Sequence, residues 1–145
     1  MKTSDRLWKI TSFVKHIREI CDKLARESNM TIDEQMLSFT DRCPTRQYVP
    51  RKPYPIILKN FVLAGWNGVV YDFEIYQGER TFQDFKLRDG SGGQGVGAVL
   101  RLANGLGPGK HVFCDRFFYN YPIDRTPRTC KHFANRNYVP VQFLF

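Results

Sequence analysis

Two carboxylates stand apart from the other acids by where they fall. Asp33 lies inside a strand-like run from Met30 to Phe39, and Asp115 closes a brief apolar run from Lys110 to Cys114. A carboxylate on a half-buried strand is costly unless something compensates it, and a bound divalent cation is one such compensation. On strands lying side by side, Asp33 and Asp115 could hold Mg2+. Two such ions about 4 Å apart activate a nucleophile and stabilise the leaving oxygen at a phosphodiester. The plain alternative is a pair of strand-end Asp side chains bonded to backbone, and position alone leaves both readings open.

A second group is basic. Arg42, Arg46, Arg51 and Lys52 sit among Pro44, Pro50, Pro53 and Pro55, and proline cannot donate to a sheet ladder, so residues 40–55 read as an extended loop. With Lys59 just beyond, these cations could neutralise phosphates, and Tyr48 and Tyr54 between them could stack on a frayed base. A solvated basic loop is the competing reading. The balance of 22 Lys and Arg against 14 Asp and Glu, net +8, favours a polyanionic partner without requiring one.

Other chemistries find less support. The four cysteines, at 21, 43, 114 and 130, form no close pair and no His clusters with them, so no zinc site is expected. Their low density points to reduced thiols. Lys2, Asp5, Arg6 and Lys9 break any apolar leader, and no run approaches a membrane span. The run Gly90-Ser91-Gly92-Gly93-Gln94-Gly95 has no Lys-Ser/Thr after it and no strand directly before it. It reads as a flexible connection rather than a phosphate-binding loop.

The elements that must position the acids follow from periodicity. Leu7, Ile10, Val14, Ile17, Cys21 and Leu24 recur at helical spacing, predicting an amphipathic helix over residues 5–27 with Ser4 as its N-cap. Residues 56–64 and 69–77 are strands joined by Gly65-Trp66-Asn67-Gly68, a hairpin signal, and they are expected to pair antiparallel. A short helix over residues 96–106 precedes the strand that ends at Asp115. Helix, three strands, helix, strand is a mixed α/β order.

These stretches also resemble one known family. Met30-Thr31-Ile32-Asp33-Glu34-Gln35-Met36-Leu37-Ser38-Phe39 resembles the first acidic motif of piggyBac transposases. It is followed, as there, by Arg42, Tyr48, Pro50, Lys52-Pro53, Lys59 and the hairpin ending Tyr71-Asp72-Phe73-Glu74-Ile75-Tyr76-Gln77-Gly78. His111-Val112-Phe113-Cys114-Asp115-Arg116-Phe117-Phe118 with Pro122 resembles the second acidic motif.

The resemblance implies an incomplete ribonuclease-H-like mixed sheet, with residues 1–28 as a preceding helix, 29–122 as the partial transposase domain and 123–145 as a divergent tail. Asp33 and Asp115 would be two of the family's three metal-binding acids, with Mg2+ or Mn2+ weakly bound or absent here. The third acid and a cysteine-rich zinc domain belong further downstream in the family, and residues up to Phe145 carry neither. The expectation is a nuclear, transposable element-derived DNA-binding protein that does not cut by itself, in a sheet lacking its fifth strand and a covering helix. The alternative is a domesticated, non-catalytic module that binds DNA or associates with a full-length relative or with itself as a dimer.

Overall fold

The computed structural model describes residues 6–85, 93–118 and the backbone of 139–142. The expected Ser4 cap and most of the tail lie outside the described residues. The elements are α1 (Thr11–Asp22), β1 (Asn29–Ser38), β2 (Gln47–Tyr48), β3 (Ile56–Gly65), β4 (Val70–Ile75), α2 (Gln94–Ala103), β5 (His111–Cys114) and β6 (Val139–Gln142). Short 3-10 turns at Glu79–Phe82 and Arg116–Phe118 flank α2 and β5.

One mixed sheet carries the fold, in the order β2-β3-β1-β5-β6 with β4 also on β3. β1 and β3 pair antiparallel over a long register, from Met30 opposite Gly65 to Ser38 opposite Ile57. The β3–β4 hairpin forms as its Asn-Gly turn predicts, with Gly68 at φ 81° and a register shift between Leu63 and Ala64. β1 and β5 run parallel, with Asn29, Met30 and Thr31 opposite His111, Val112 and Phe113. β6 then pairs antiparallel with β5, so the tail supplies a strand where none was expected.

Strand alternation decides what is buried. Met30 and Ile32 from β1, Phe61 and Leu63 from β3 and Val112 and Cys114 from β5 share one face. α2 covers that face with Ala98, Val99, Leu102 and Ala103, and Phe82 and Phe118 close its ends. Phe61 sits at the centre, edge-on to Phe82 and Phe118.

The glycine run is not merely a connection. Residues 86–92 lie outside the described residues, but Gln94 and Gly95 begin α2. A Cβ at Gly95 would stand 2.6 Å from the Phe117 carbonyl oxygen, and one at Gly97 would stand 2.5 Å from the Phe82 Cβ. These positions let the two 3-10 turns press against the helix.

α1 buries less than its periodicity suggests. Only Cys21 is fully buried, and Ile10 and Leu24 are exposed. The helix lies along β4, an edge strand, rather than over a sheet face, and an edge covers only a narrow stripe. Arg18 fixes the contact by donating Nε and Nη2 to the Phe73 carbonyl, at 3.0 and 2.6 Å. Its guanidinium also meets Glu74 at 2.9 Å, while Arg101 of α2 reaches Asp72 at 2.8 Å and Glu74 at 3.1 Å. Two carboxylates of the edge strand thereby tie both helices to the sheet.

Gly97→Ala tests the packing. Alanine favours a helix over glycine by about 0.5–1 kcal/mol, but overpacking a filled core costs about 1–3 kcal/mol. The variant is expected to be less stable in chemical denaturation, while Gly107→Ala, which meets nothing within 4 Å, is expected to be neutral. Equal stability for Gly97→Ala and the wild type would contradict the packing described.

Candidate metal and nucleic-acid site

Parallel pairing of β1 with β5 sets side by side the strand that contains Asp33 and the strand that Asp115 follows. Thr31 Oγ1 donates to the Phe113 carbonyl at 3.2 Å, which ties the neighbouring strands at that level. Asp33 and Asp115 each lie two residues beyond this partnered pair. The two-residue period of β1 puts Asp33 on the face of Thr31, away from α2, and Asp115 directly follows the last residue of β5. Asp33 is exposed within β1, and Asp115 is half-buried where the chain leaves β5.

Each carboxylate is held by backbone at one oxygen. Asp33 Oδ1 accepts from the Glu34 amide at 2.8 Å, and Asp115 Oδ1 accepts from the Phe117 amide at 2.8 Å. Two hard oxygen donors on adjoining strands fit Mg2+ or Mn2+ better than a soft or tetrahedral metal. Among the described residues no group of three or more His, Cys, Asp or Glu gathers to hold a metal. The two carboxylates therefore fit a cation with most of its shell filled by other ligands.

Directly behind this pair, on the α2 side of the sheet, lies a polar cluster that pattern reading did not single out as one. Glu34 is half-buried, and its Oε2 is enclosed with no hydrogen-bond partner. Burial raises the Glu34 carboxyl above its ordinary 4.5; Lys59 opposes the shift, while Asp33 and Asp115 add to it. Burial likewise lowers the Lys59 ammonium from 10.5, with Glu34 and Asp115 opposing. Lys59 Nζ donates to Gln94 Oε1 at 3.1 Å and stands 4.1 Å from the centre of the Phe117 ring.

Lys59 thus separates from the other cations proposed from sequence. It is 8% exposed, because Ile57, Lys59, Phe61 and Leu63 alternate onto the buried face of β3. That alternation was readable in the sequence and places Lys59 inside. Arg42, Arg46, Arg51 and Lys52 are all exposed in the loop. Tyr48 and Tyr54 stand 72% and 71% exposed among them. Arg51 holds φ at 69°, and Asp41 accepts from the Arg42 amide, so the loop has a defined local path. β2 anchors it, Gln47 and Tyr48 pairing with Ile57 and Ile56.

Glu34 gives a pH dependence with a definite sign. A carboxyl whose folded pKa is raised contributes its full stability below pH 4.5 and loses it as pH rises through the folded value. Glu34→Gln removes this titration. It is expected to be more stable than wild type at pH 7, on the order of 1 kcal/mol after allowing for solvent screening. The gain should vanish below pH 4.5. Urea denaturation at the two pH values checks this, and a gain equal at both would contradict it.

Comparison with known proteins agrees with this architecture. The family profile described as transposase IS4 matches residues 1–123. A comparison with curated proteins finds no match. Among solved structures, the chain is similar to a piggyBac transposase in a synaptic complex with hairpin DNA, at 25% identity and a TM-score of 0.61. The alignment covers 72% of this chain and 21% of that protein. No helix among the described residues is long and apolar enough to cross a membrane. Matched over most of its length, the chain belongs to the transposase IS4 family and is related to the piggyBac DNA transposases.

Proposed function

We propose that the chain is the amino-terminal part of a ribonuclease-H-like transposase core in which Asp33 and Asp115 bind a divalent cation. The observation that carries this reading is their common position, each two residues past the Thr31–Phe113 pair on parallel neighbouring strands. A divalent ion held there would activate a hydroxyl and offset charge on a phosphodiester, as in other metal-dependent DNA processing. Asp33 and Asp115 supply its anionic ligands, the Glu34 and Phe117 amides hold their orientation, and the basic loop binds the DNA backbone.

Two carboxylates hold such an ion weakly, so residues 1–145 alone do not cut DNA. The third acid of the family comes from elsewhere, in a further segment or a partner chain. Nuclear residence follows from the DNA substrate. Residues 1–28 serve as a preceding helix, 29–122 as the transposase part and 123–145 as a divergent tail.

Calorimetric titration with Mn2+ tests the site. The wild type is expected to bind one equivalent at a dissociation constant of about 0.1–1 mM, the range of weakly charged oxygen sites. Asp33→Asn and Asp115→Asn should each abolish that binding. Undiminished binding in both variants would remove the proposed ligands.

The exposed Arg and Tyr side chains of residues 42–54 favour a second reading, a domesticated module that binds DNA without cutting. Its affinity for duplex DNA is expected to fall with salt and to survive Asp33→Asn. Replacing Arg42, Arg46 and Arg51 with Ala should flatten the salt dependence by about 0.9 in log–log slope for each phosphate no longer neutralised. An unchanged slope would sink the assignment of this loop to DNA.

A further inference from the structure

We propose that Lys59 and Phe117 are positioning residues that jointly fix the Asp115 carboxylate, rather than a DNA contact and a bystander. This deepens the metal-binding reading above and rests on it for the role of Asp115. The Phe117 amide donates to Asp115 Oδ1 at 2.8 Å, so the direction of the carboxylate depends on where the 3-10 turn holds residue 117. That residue is 41% exposed, and exposure alone would leave its ring free to move.

Three contacts hold it instead. Its ring stacks on Phe61 at a centroid distance of 6.5 Å and an interplanar angle of 14°. The Lys59 ammonium stands 4.1 Å from its centre, close enough for a direct cation–π attraction. On the backbone side, Gly95 lets the start of α2 approach so closely that a Cβ there would meet the Phe117 oxygen at 2.6 Å.

Lys59 is itself aimed. Its Nζ donates to Gln94, the first residue of α2, at 3.1 Å, and also lies 4.9 Å from the Phe61 ring. The cation therefore joins β3, the start of α2 and the turn after β5, and all three bear on the residue that orients Asp115. A cation kept only as a counter-charge would need neither the ring nor Gln94.

The two roles differ in sign. Removing a positive charge near a metal site tightens divalent binding if charge is all that matters. Removing a support for a ligand loosens it, typically by about tenfold or more. The experiment uses Lys59→Met, which keeps an unbranched apolar stem, and Phe117→Leu, which keeps the amide but loses the ring. The readouts are the proton shift and hydrogen exchange of the Phe117 amide (residue 117 in the leucine variant) without metal, and Mn2+ affinity by calorimetry.

In Lys59→Met, the Phe117 amide is expected to move upfield and exchange about tenfold faster, while the β3 amides of Phe61 and Leu63 stay unchanged. Mn2+ affinity should fall about tenfold. Phe117→Leu should weaken Mn2+ similarly, and it carries the test if Lys59→Met does not fold. An unchanged amide at residue 117, or Mn2+ affinity equal to or tighter than wild type, would overturn the proposal. A displaced amide in a protein whose wild type binds no Mn2+ would uphold the positioning role and refute the metal reading instead.

Discussion

The fold serves this site through one pairing, the parallel ladder between β1 and β5. Thr31 and Phe113 are 82 residues apart in sequence, and one side-chain hydrogen bond joins them across the ladder. The β3–β4 hairpin, the 3-10 turn at Glu79–Phe82 and α2 all lie between these two strands in the chain. A parallel connection needs such a crossover, because a tight turn cannot reverse direction twice. Long-range pairing of this kind costs loop-closure entropy, which the apolar face of Met30, Ile32, Phe61, Leu63 and Val112 offsets by burying against α2.

Charge is placed in two rings around that core, with different consequences. At the edge, Asp72 and Glu74 each meet arginines from both α1 and α2, with the carboxylates mostly covered. Mutual neutralisation there holds both helices against an edge strand that is mostly half-buried. Nearer the acids, Glu34 and Lys59 attract each other, but burial disfavours the charge on each more strongly. Charges in that setting are held at a cost, and such a cost is often maintained where a site needs a defined field.

Much of this was legible from residue patterns, and the failures have physical causes. The β3–β4 hairpin, β1 and β5 followed from alternation and from the Asn-Gly turn, because local chemistry decided them. α1 was legible as a helix but not in its contacts, since periodicity does not reveal whether a helix meets a sheet face or an edge. Gly95 looked like flexible spacing and Gly97 like an ordinary helix position, whereas the tertiary approach of Phe117 and Phe82 demands both glycines. β6 was missed because a strand that pairs only with a distant partner leaves little local signal. Asp33 and Asp115 stood out by position, but residue patterns do not reveal the parallel register of β1 with β5. Lys59 was grouped with the basic loop by charge, although its own alternation placed it inside.

In the proposed function these two carboxylates form one cation site. Crystals of the full chain grown with Mn2+, measured at the manganese absorption edge, would test it most directly. The predicted result is an anomalous peak bridged by the side chains of Asp33 and Asp115 on the face away from α2. A manganese peak elsewhere, with neither carboxylate among its ligands, would contradict it.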